Sequence, residues 1–183
     1  MYKIIALIGE AGSGKDRIMK EVLAAAPTAF NEIISCTTRP PREGEQEGVN
    51  YYFLTNDEFI IDVLSNKMLE HTNFNGWNYG TSKDALKEDK INIGVFNPAG
   101  IYALKQKENI DLEVYRVVVG DKERMLRQLN RETNPNVDEI VRRYDTDKID
   151  FNRLDFTYYL LDNQTEEDLQ KAVDYLVTRG RVD

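Results

Sequence analysis

Gly9-Glu10-Ala11-Gly12-Ser13-Gly14-Lys15 directly follows the apolar run Ile4-Ile5-Ala6-Leu7-Ile8. Glycines let a backbone curl so that successive N–H groups point inward at an anion. A helix starting just afterwards adds free N–H donors and a positive dipole end. The spacing fits G-x-x-x-x-G-K-[ST], a loop that cradles a nucleoside triphosphate, with Lys15 placed to reach the β- and γ-phosphates. Asp16 stands where that pattern has a hydroxyl. A second group is Arg39 and Arg42, which straddle Pro40-Pro41. Prolines restrict the backbone and keep both guanidiniums close, and arginine forks match phosphate oxygens. On composition alone the same stretch could equally be a solvated, salt-bridged surface loop.

The elements that position these residues follow from periodicity. Ile4 to Ile8 predicts a strand, and Ile18, Met19, Val22 and Leu23 recur at helical spacing until Pro27. A short strand is expected around Ile33 to Ser35, and then an exposed loop from Thr37 to Val49, rich in Arg, Pro, Glu and Gly. Tyr51 to Leu54 reads as a strand, Asn56 as the cap of a helix over 57–65, and Met68 to Phe74 as a strand ending in an Asn75-Gly76 turn. Tyr79-Gly80-Thr81 opens onto an expected short helix from Ser82 to Glu88. Further on, strands are expected at 91–96, 112–119 and 155–161, and helices from Pro98 to about Lys107 and from an Asp121 cap to about Arg131. Glu132 to Asn136 breaks the chain before a helix over 137–151, and Thr165 caps a last helix to Arg179. Strands alternating with helices after a phosphate loop predict an α/β fold: a parallel sheet of about five strands flanked by helices, with a small mixed lobe and a helical lid.

With 183 residues the chain is one domain with a sizeable core. We expect a core of 1–34, 83–126 and 152–183, a small lobe of 35–82 and a lid of 127–151. The net charge of −8 argues against nucleic acid polymers and anionic membranes as partners, while leaving room for a local phosphate site. One cysteine, Cys36, and one histidine, His71, exclude a disulfide framework and thiolate or histidine-clustered metal sites. There is no membrane-length apolar run and no signal-peptide pattern, so a cytoplasmic protein is expected.

Ser35, Thr37-Thr38-Arg39, Pro41-Arg42, Gly44-Glu45, Gly48 and Tyr51-Tyr52-Phe53 together resemble the nucleoside-monophosphate-binding signature of the guanylate kinase family. The resemblance is strong from residue 4 to about residue 82, and the phosphate loop lies upstream at the family's distance. It implies a kinase that transfers a phosphoryl group from ATP, with Mg²⁺, to GMP or dGMP, as a monomer or homodimer. Residues 9–17 (Gly9, Glu10, Ala11, Gly12, Ser13, Gly14, Lys15, Asp16 and Arg17) would hold ATP. Arg39, Arg42, Tyr51 and Tyr79 would hold the acceptor's phosphate, and Glu45 would orient the arginines. Ser35, Glu70 and Thr81 would read the base. An ionised Glu70 accepts only, which suits the adjacent N1–H and N2–H donors of guanine, while adenine lacks the N1–H. The break after Arg131, followed by Arg142-Arg143, resembles the family's lid. Arg131 and Arg143 would join Lys15 and Arg39 in catalysis, with Arg142 and Arg127 as neighbours able to substitute. His71 and Trp77 are expected to be structural.

Two positions depart from the family. Asp16 replaces the Mg²⁺-coordinating hydroxyl; a carboxylate can hold Mg²⁺ directly or through water. Val95 and Asn97 replace two aspartates that help with acceptor and metal. A kinase of another acceptor, such as another nucleotide or a ribosyl bisphosphate, and a phosphopeptide-binding module that has lost catalysis are the alternatives.

Overall fold

β1 (Tyr2–Ile8) lies at the centre of the molecule, and from Ile4 to Ile8 no residue is more than 3% exposed. A strand sealed on both faces carries a continuous apolar run, as this one does. The computed structural model describes residues 1–180 apart from residues 43, 75 and 132. Five parallel strands form the main sheet in the order β2 (Phe30–Glu32), β7 (Ile91–Val95), β1, β8 (Ile110–Val118) and β9 (Tyr159–Asp162). On one face, α1 (Lys15–Ala25) and α6 (Glu166–Arg179) pack Ile18, Val22, Leu169 and Leu176 against Ile5 and Leu7. On the other, α3 (Pro98–Lys105) brings Ile101 and Leu104 onto Ile4, Ala6 and Ile8. The phosphate loop therefore leaves the carboxyl end of the central strand, where ligands bind in open parallel sheets.

A second, mixed sheet has the order β4 (Tyr52–Phe53), β3 (Cys36–Thr37), β6 (Trp77–Ser82) and β5 (Met68–Phe74). β5 and β6 form a hairpin pairing Glu70 with Thr81, Thr72 with Tyr79 and Phe74 with Trp77, with a bulge between Met68 and Glu70. Side chains alternate along a strand, so all six lie on one face. α2 (Asn56–Leu64) covers the opposite side through Phe59, which packs with Cys36 and Met68. The remaining helices, α4 (Asp121–Leu129) and α5 (Val137–Asp150), pack on each other beside the phosphate loop.

Several elements differ from the sequence reading. No strand occupies Ile33 to Ser35: the chain passes there from one sheet to the other, and Ile33 only adds one bond, N–H to the Ile93 carbonyl. The helix expected from Ser82 to Glu88 is replaced by the end of β6 and a 3₁₀ turn, Lys83–Ala85, because Ser82 stays extended and caps the Asp84 N–H. The strand expected at 155–161 forms only from Tyr159, and Phe156 is buried against Tyr102 instead. Thr55 rather than Asn56 caps α2, in a reciprocal capping box with Glu58, and Gly120 precedes α4 where Asp121 was expected as the cap. Asn75 of the expected turn and Glu132 of the expected break lie outside the described residues.

Asn97 joins the two sheets. Its Oδ1 accepts from the Gly100 N–H at 2.7 Å as the cap of α3, and its Nδ2 donates to Thr72 Oγ1 on β5 at 3.2 Å. The Asn97→Ala variant should lose about 1–2 kcal/mol of stability, measured by urea unfolding, because it removes both a helix cap and this bridge.

Candidate active site

The phosphate loop is built from glycines because two of its residues are left-handed. Gly12 (φ 82°) lies against the backbone carbonyl of Arg124, and Gly14 (φ 86°) against the side chain of Asn163, so neither position has room for a Cβ. Gly14 is also the residue before α1, so the N–H groups of Lys15 and Asp16 open the helix without intrahelical acceptors. Asn163, after β9, is buried and donates from Nδ2 to the Ser13 carbonyl at 2.7 Å. Arg127 lies beneath the same loop, bonded to Glu123 and to the Asn163 carbonyl. It supports the loop and is not among the residues lining the cleft beside Arg142 and Arg143. Within residues 9–17, three others are engaged by the protein. The Glu10 carboxylate pairs with Arg116, the Ala11 N–H with Asp147, and the Arg17 guanidinium with Glu166 through two bonds of 2.6 and 2.7 Å. Asp16 is exposed, and its charge reaches Tyr51.

Arg39 and Arg42, in the segment after β3, and Phe74, Trp77 and Tyr79 of the β5–β6 hairpin face Glu139, Arg142 and Arg143 of α5 across a cleft of about 380 Å³. Arg39 is 8% exposed and is gripped by both oxygens of Glu45 at 2.9 Å and by the Pro40 carbonyl at 2.7 Å. Its guanidinium lies 5.4 Å from the Tyr51 ring and 5.9 Å from Phe53. Glu45 also accepts from the Arg42 N–H at 2.8 Å; although burial opposes it, these bonds hold the carboxyl below its ordinary range. Burial, together with the charges of Arg143, Arg39 and Arg131, pushes the Arg42 guanidinium below its ordinary value. Arg131 is exposed, and its charge is felt in the cleft through Arg42. On α5, Arg142 and Arg143 both bond Glu139, which Arg142 chiefly pulls down to about 2. Tyr51 packs edge-on to Tyr79, and burial, with Asp16 and Tyr79 nearby, pushes its hydroxyl up to about 12. It is therefore a neutral donor at physiological pH.

At the root of the same hairpin face, Glu70 is 7% exposed and burial pushes its carboxyl up to about 7. Its cross-strand partner Thr81 is fully buried, and the hydrogen-bonding groups of Thr81 beside the carboxylate partly oppose that rise. Gly100 at the start of α3 lies beside this carboxylate: a Cβ there would lie 3.4 Å from Glu70 Oε2. Ser35 immediately precedes β3, one register step beyond the Cys36–Gly80 pair and toward Thr81. Ser35, Glu70 and Thr81 thus share one level of the small sheet, while Arg39 is gripped by Glu45 and lies over Tyr51, which packs against Tyr79.

Sequence reasoning missed four residues here. Trp77, expected to be structural, lines the cleft with Phe74, and its pairing with Phe74 at the hairpin tip was the available signal. Glu139 was legible only as a carboxylate three and four residues before two arginines. Asn163 and Asp147 reach the loop from 150 and 136 residues away, and no local pattern marks them.

A parallel sheet with this glycine-rich loop, facing an arginine-lined second lobe, is an arrangement suited to holding phosphate groups. A family profile described as Guanylate kinase matches residues 1–179, and the chain belongs to the guanylate kinase family. The guanylate kinase of Sus scrofa is 28% identical over 92% of this chain and 94% of its own length. That of Mesoplasma florum is 39% identical over 50% of this chain and 31% of its own, and that of Bacillus subtilis 41% over 46% and 42%. The matched stretch thus spans about a third to a half of these bacterial relatives. A guanylate kinase structure from Anaplasma phagocytophilum shares the fold, with a TM-score of 0.70 at 20% identity over 98% of this chain and 85% of its own. These comparisons favour neither a kinase of another acceptor nor a binding module. Among the described residues, no helix is long and apolar enough to cross a membrane.

Glu70 gives a pH signature. In the unfolded chain it ionises near its ordinary value of 4.5, whereas in the folded protein it holds its proton to about 7. Its ionisation penalty is therefore absent below pH 4.5, grows between 4.5 and 7, and is full above 7. Relative to Glu70→Gln, the wild type should lose up to roughly 3 kcal/mol across that window. Urea unfolding of both proteins at several pH values measures the difference, and parallel profiles would contradict the assignment.

Proposed function

We propose that this chain transfers the γ-phosphoryl group of ATP to GMP or dGMP. The observation that carries this reading is Glu70: a buried carboxylate paired across the hairpin with buried Thr81, on the face that leads to the arginine cleft. Guanine offers two adjacent donors that fit an acceptor-only group, and burying the ionised carboxylate against them removes its desolvation penalty. Ser35 and Thr81 complete the base site. Arg39, Arg42 and the Tyr51 and Tyr79 hydroxyls take the acceptor phosphate, with Arg39 preset by Glu45.

The donor lies on residues 9–17, its phosphates on the loop amides and Lys15. Arg131 and Arg143, with Arg142 beside them, neutralise charge that spreads over the transferring group, and α5 excludes water. In this reading residues 1–34, 83–126 and 152–183 are the donor core, 35–82 the acceptor lobe and 127–151 the lid. Among the described residues, no cluster of three or more His, Cys, Asp or Glu side chains could hold a metal ion. A Mg²⁺ shared with the donor phosphates fits better, with Asp16 at the head of α1 as its one protein carboxylate, direct or through water. Bound there, Mg²⁺ would neutralise phosphate charge. Val95 and Asn97 supply no carboxylate, and Asn97 is spent on the cap of α3. A cytoplasmic location belongs to the same proposal.

A coupled assay with ATP, Mg²⁺ and a panel of ribo- and deoxyribonucleoside monophosphates should show selective turnover of GMP or dGMP. Glu70→Gln should lower kcat/KM for GMP by about 10- to 100-fold while other acceptors change little. An equal loss for all acceptors would make Glu70 structural. Asp16→Ala should raise the Mg²⁺ concentration giving half-maximal rate several-fold, roughly the cost of one lost carboxylate contact. An unchanged requirement would mean that Asp16 does not touch the metal.

A further inference from the structure

Arg143 and Asp147 are one helical turn apart on α5, so both project from the same side of it. Arg143 faces the arginine cleft. Asp147 is 8% exposed, and its Oδ2 accepts from the Ala11 N–H of the phosphate loop at 2.7 Å and from Arg124 Nη1 at 3.2 Å. Arg124 is itself buried. Its Nε donates to Asp121 at 3.0 Å, and its guanidinium lies 4.6 Å from the ring of Tyr144, whose hydroxyl donates to Asp121 at 2.7 Å. α4, α5 and the phosphate loop thus share one closed set of polar contacts.

A buried carboxylate is costly unless its lone pairs are filled. Here one of the donors is the backbone of the loop that would carry the triphosphate. We propose that Asp147 is a positioning residue for phosphoryl transfer: it straps α5 to Ala11 and so fixes where Arg143 stands relative to the donor. The proposal rests on the kinase reading. Glu139, the carboxylate that holds the Arg143 guanidinium, cannot set that distance, because it belongs to α5 and moves with it. A further link between α5 and the loop region runs through Arg116, which pairs with Glu10 and lies 5.1 Å from the Phe151 ring just after the helix. Among the described residues, the Asp147 contact is the link within one turn, about 6 Å, of Arg143.

The test is a double-substitution cycle on kcat. Asp147→Ala should lower kcat by about 10-fold or more, since small misplacements of a catalytic group are expensive. KM for ATP and GMP should change little. In an Arg143→Ala background the same substitution should cost clearly less than in the wild type, because the strap acts on kcat through Arg143. Additive losses, or a loss confined to KM, would overturn the proposal. Should Asp147→Ala unfold, Asp147→Glu keeps the charge for Arg124 while shifting the strap, and enters the same cycle with the same two outcomes. Amide hydrogen exchange separates this proposal from the kinase reading. Peptides covering 137–150 should exchange faster in the variant while those of β1 and β8 do not change. A wild type without phosphoryl transfer would refute the kinase reading, whereas unchanged exchange over 137–150 would refute the strap.

Discussion

Guanidiniums of like charge repel, and this chain brings Arg39, Arg42, Arg142 and Arg143 to one cleft, with the charge of Arg131 felt there too. Two such charges about 5 Å apart repel by roughly 3 kcal/mol at an effective dielectric near 20. The arrangement is sustained because each side of the cleft carries its own carboxylate. Glu45 fixes Arg39 within the acceptor loop, and Glu139 fixes Arg142 and Arg143 within α5. Neutralisation is thus local to each element before the two meet. Four guanidiniums against two carboxylates leave an uncompensated positive charge, in a protein whose total charge is −8. That residue of charge is what an incoming anion answers.

The main sheet and the phosphate loop were legible because their causes are local. An apolar run predicts a strand sealed on both faces, and glycines before a lysine predict an anion cradle. The role expected of the Arg39–Arg42 loop came from its resemblance to a family, not from composition, which left a solvated salt-bridged surface as a fair alternative. The misreadings share one physical origin. Ile33, Ser82 and Phe156 lie where the chain changes layer, and there tertiary packing overrides the local pattern. Trp77 was read as structural because one aromatic side chain says nothing of its facing partners. Asp147 was invisible for a stronger reason: its meaning depends on an N–H 136 residues away.

Support for the phosphate loop comes almost wholly from distant side chains. Asn163 and Arg127 hold it from below, and Asp147 and Arg116 from the side of α5. A loop rich in glycine has the most backbone freedom to lose on folding. Rigid neighbours therefore carry the ordering that its own sequence cannot supply.

The β5–β6 hairpin carries a consequence for how this protein can change over generations. Glu70, Thr72 and Phe74 share a face only because the alternation is unbroken, and each two-residue step advances about 6.6 Å along the strand. A single insertion between them would turn every later side chain to the other face. The buried carboxylate of Glu70 and the cleft-lining Phe74 are thus inherited together, as one indivisible length standard. The bulge between Met68 and Glu70 lies just outside that interval. Length variation can be absorbed there without disturbing the spacing between the carboxylate and the arginines.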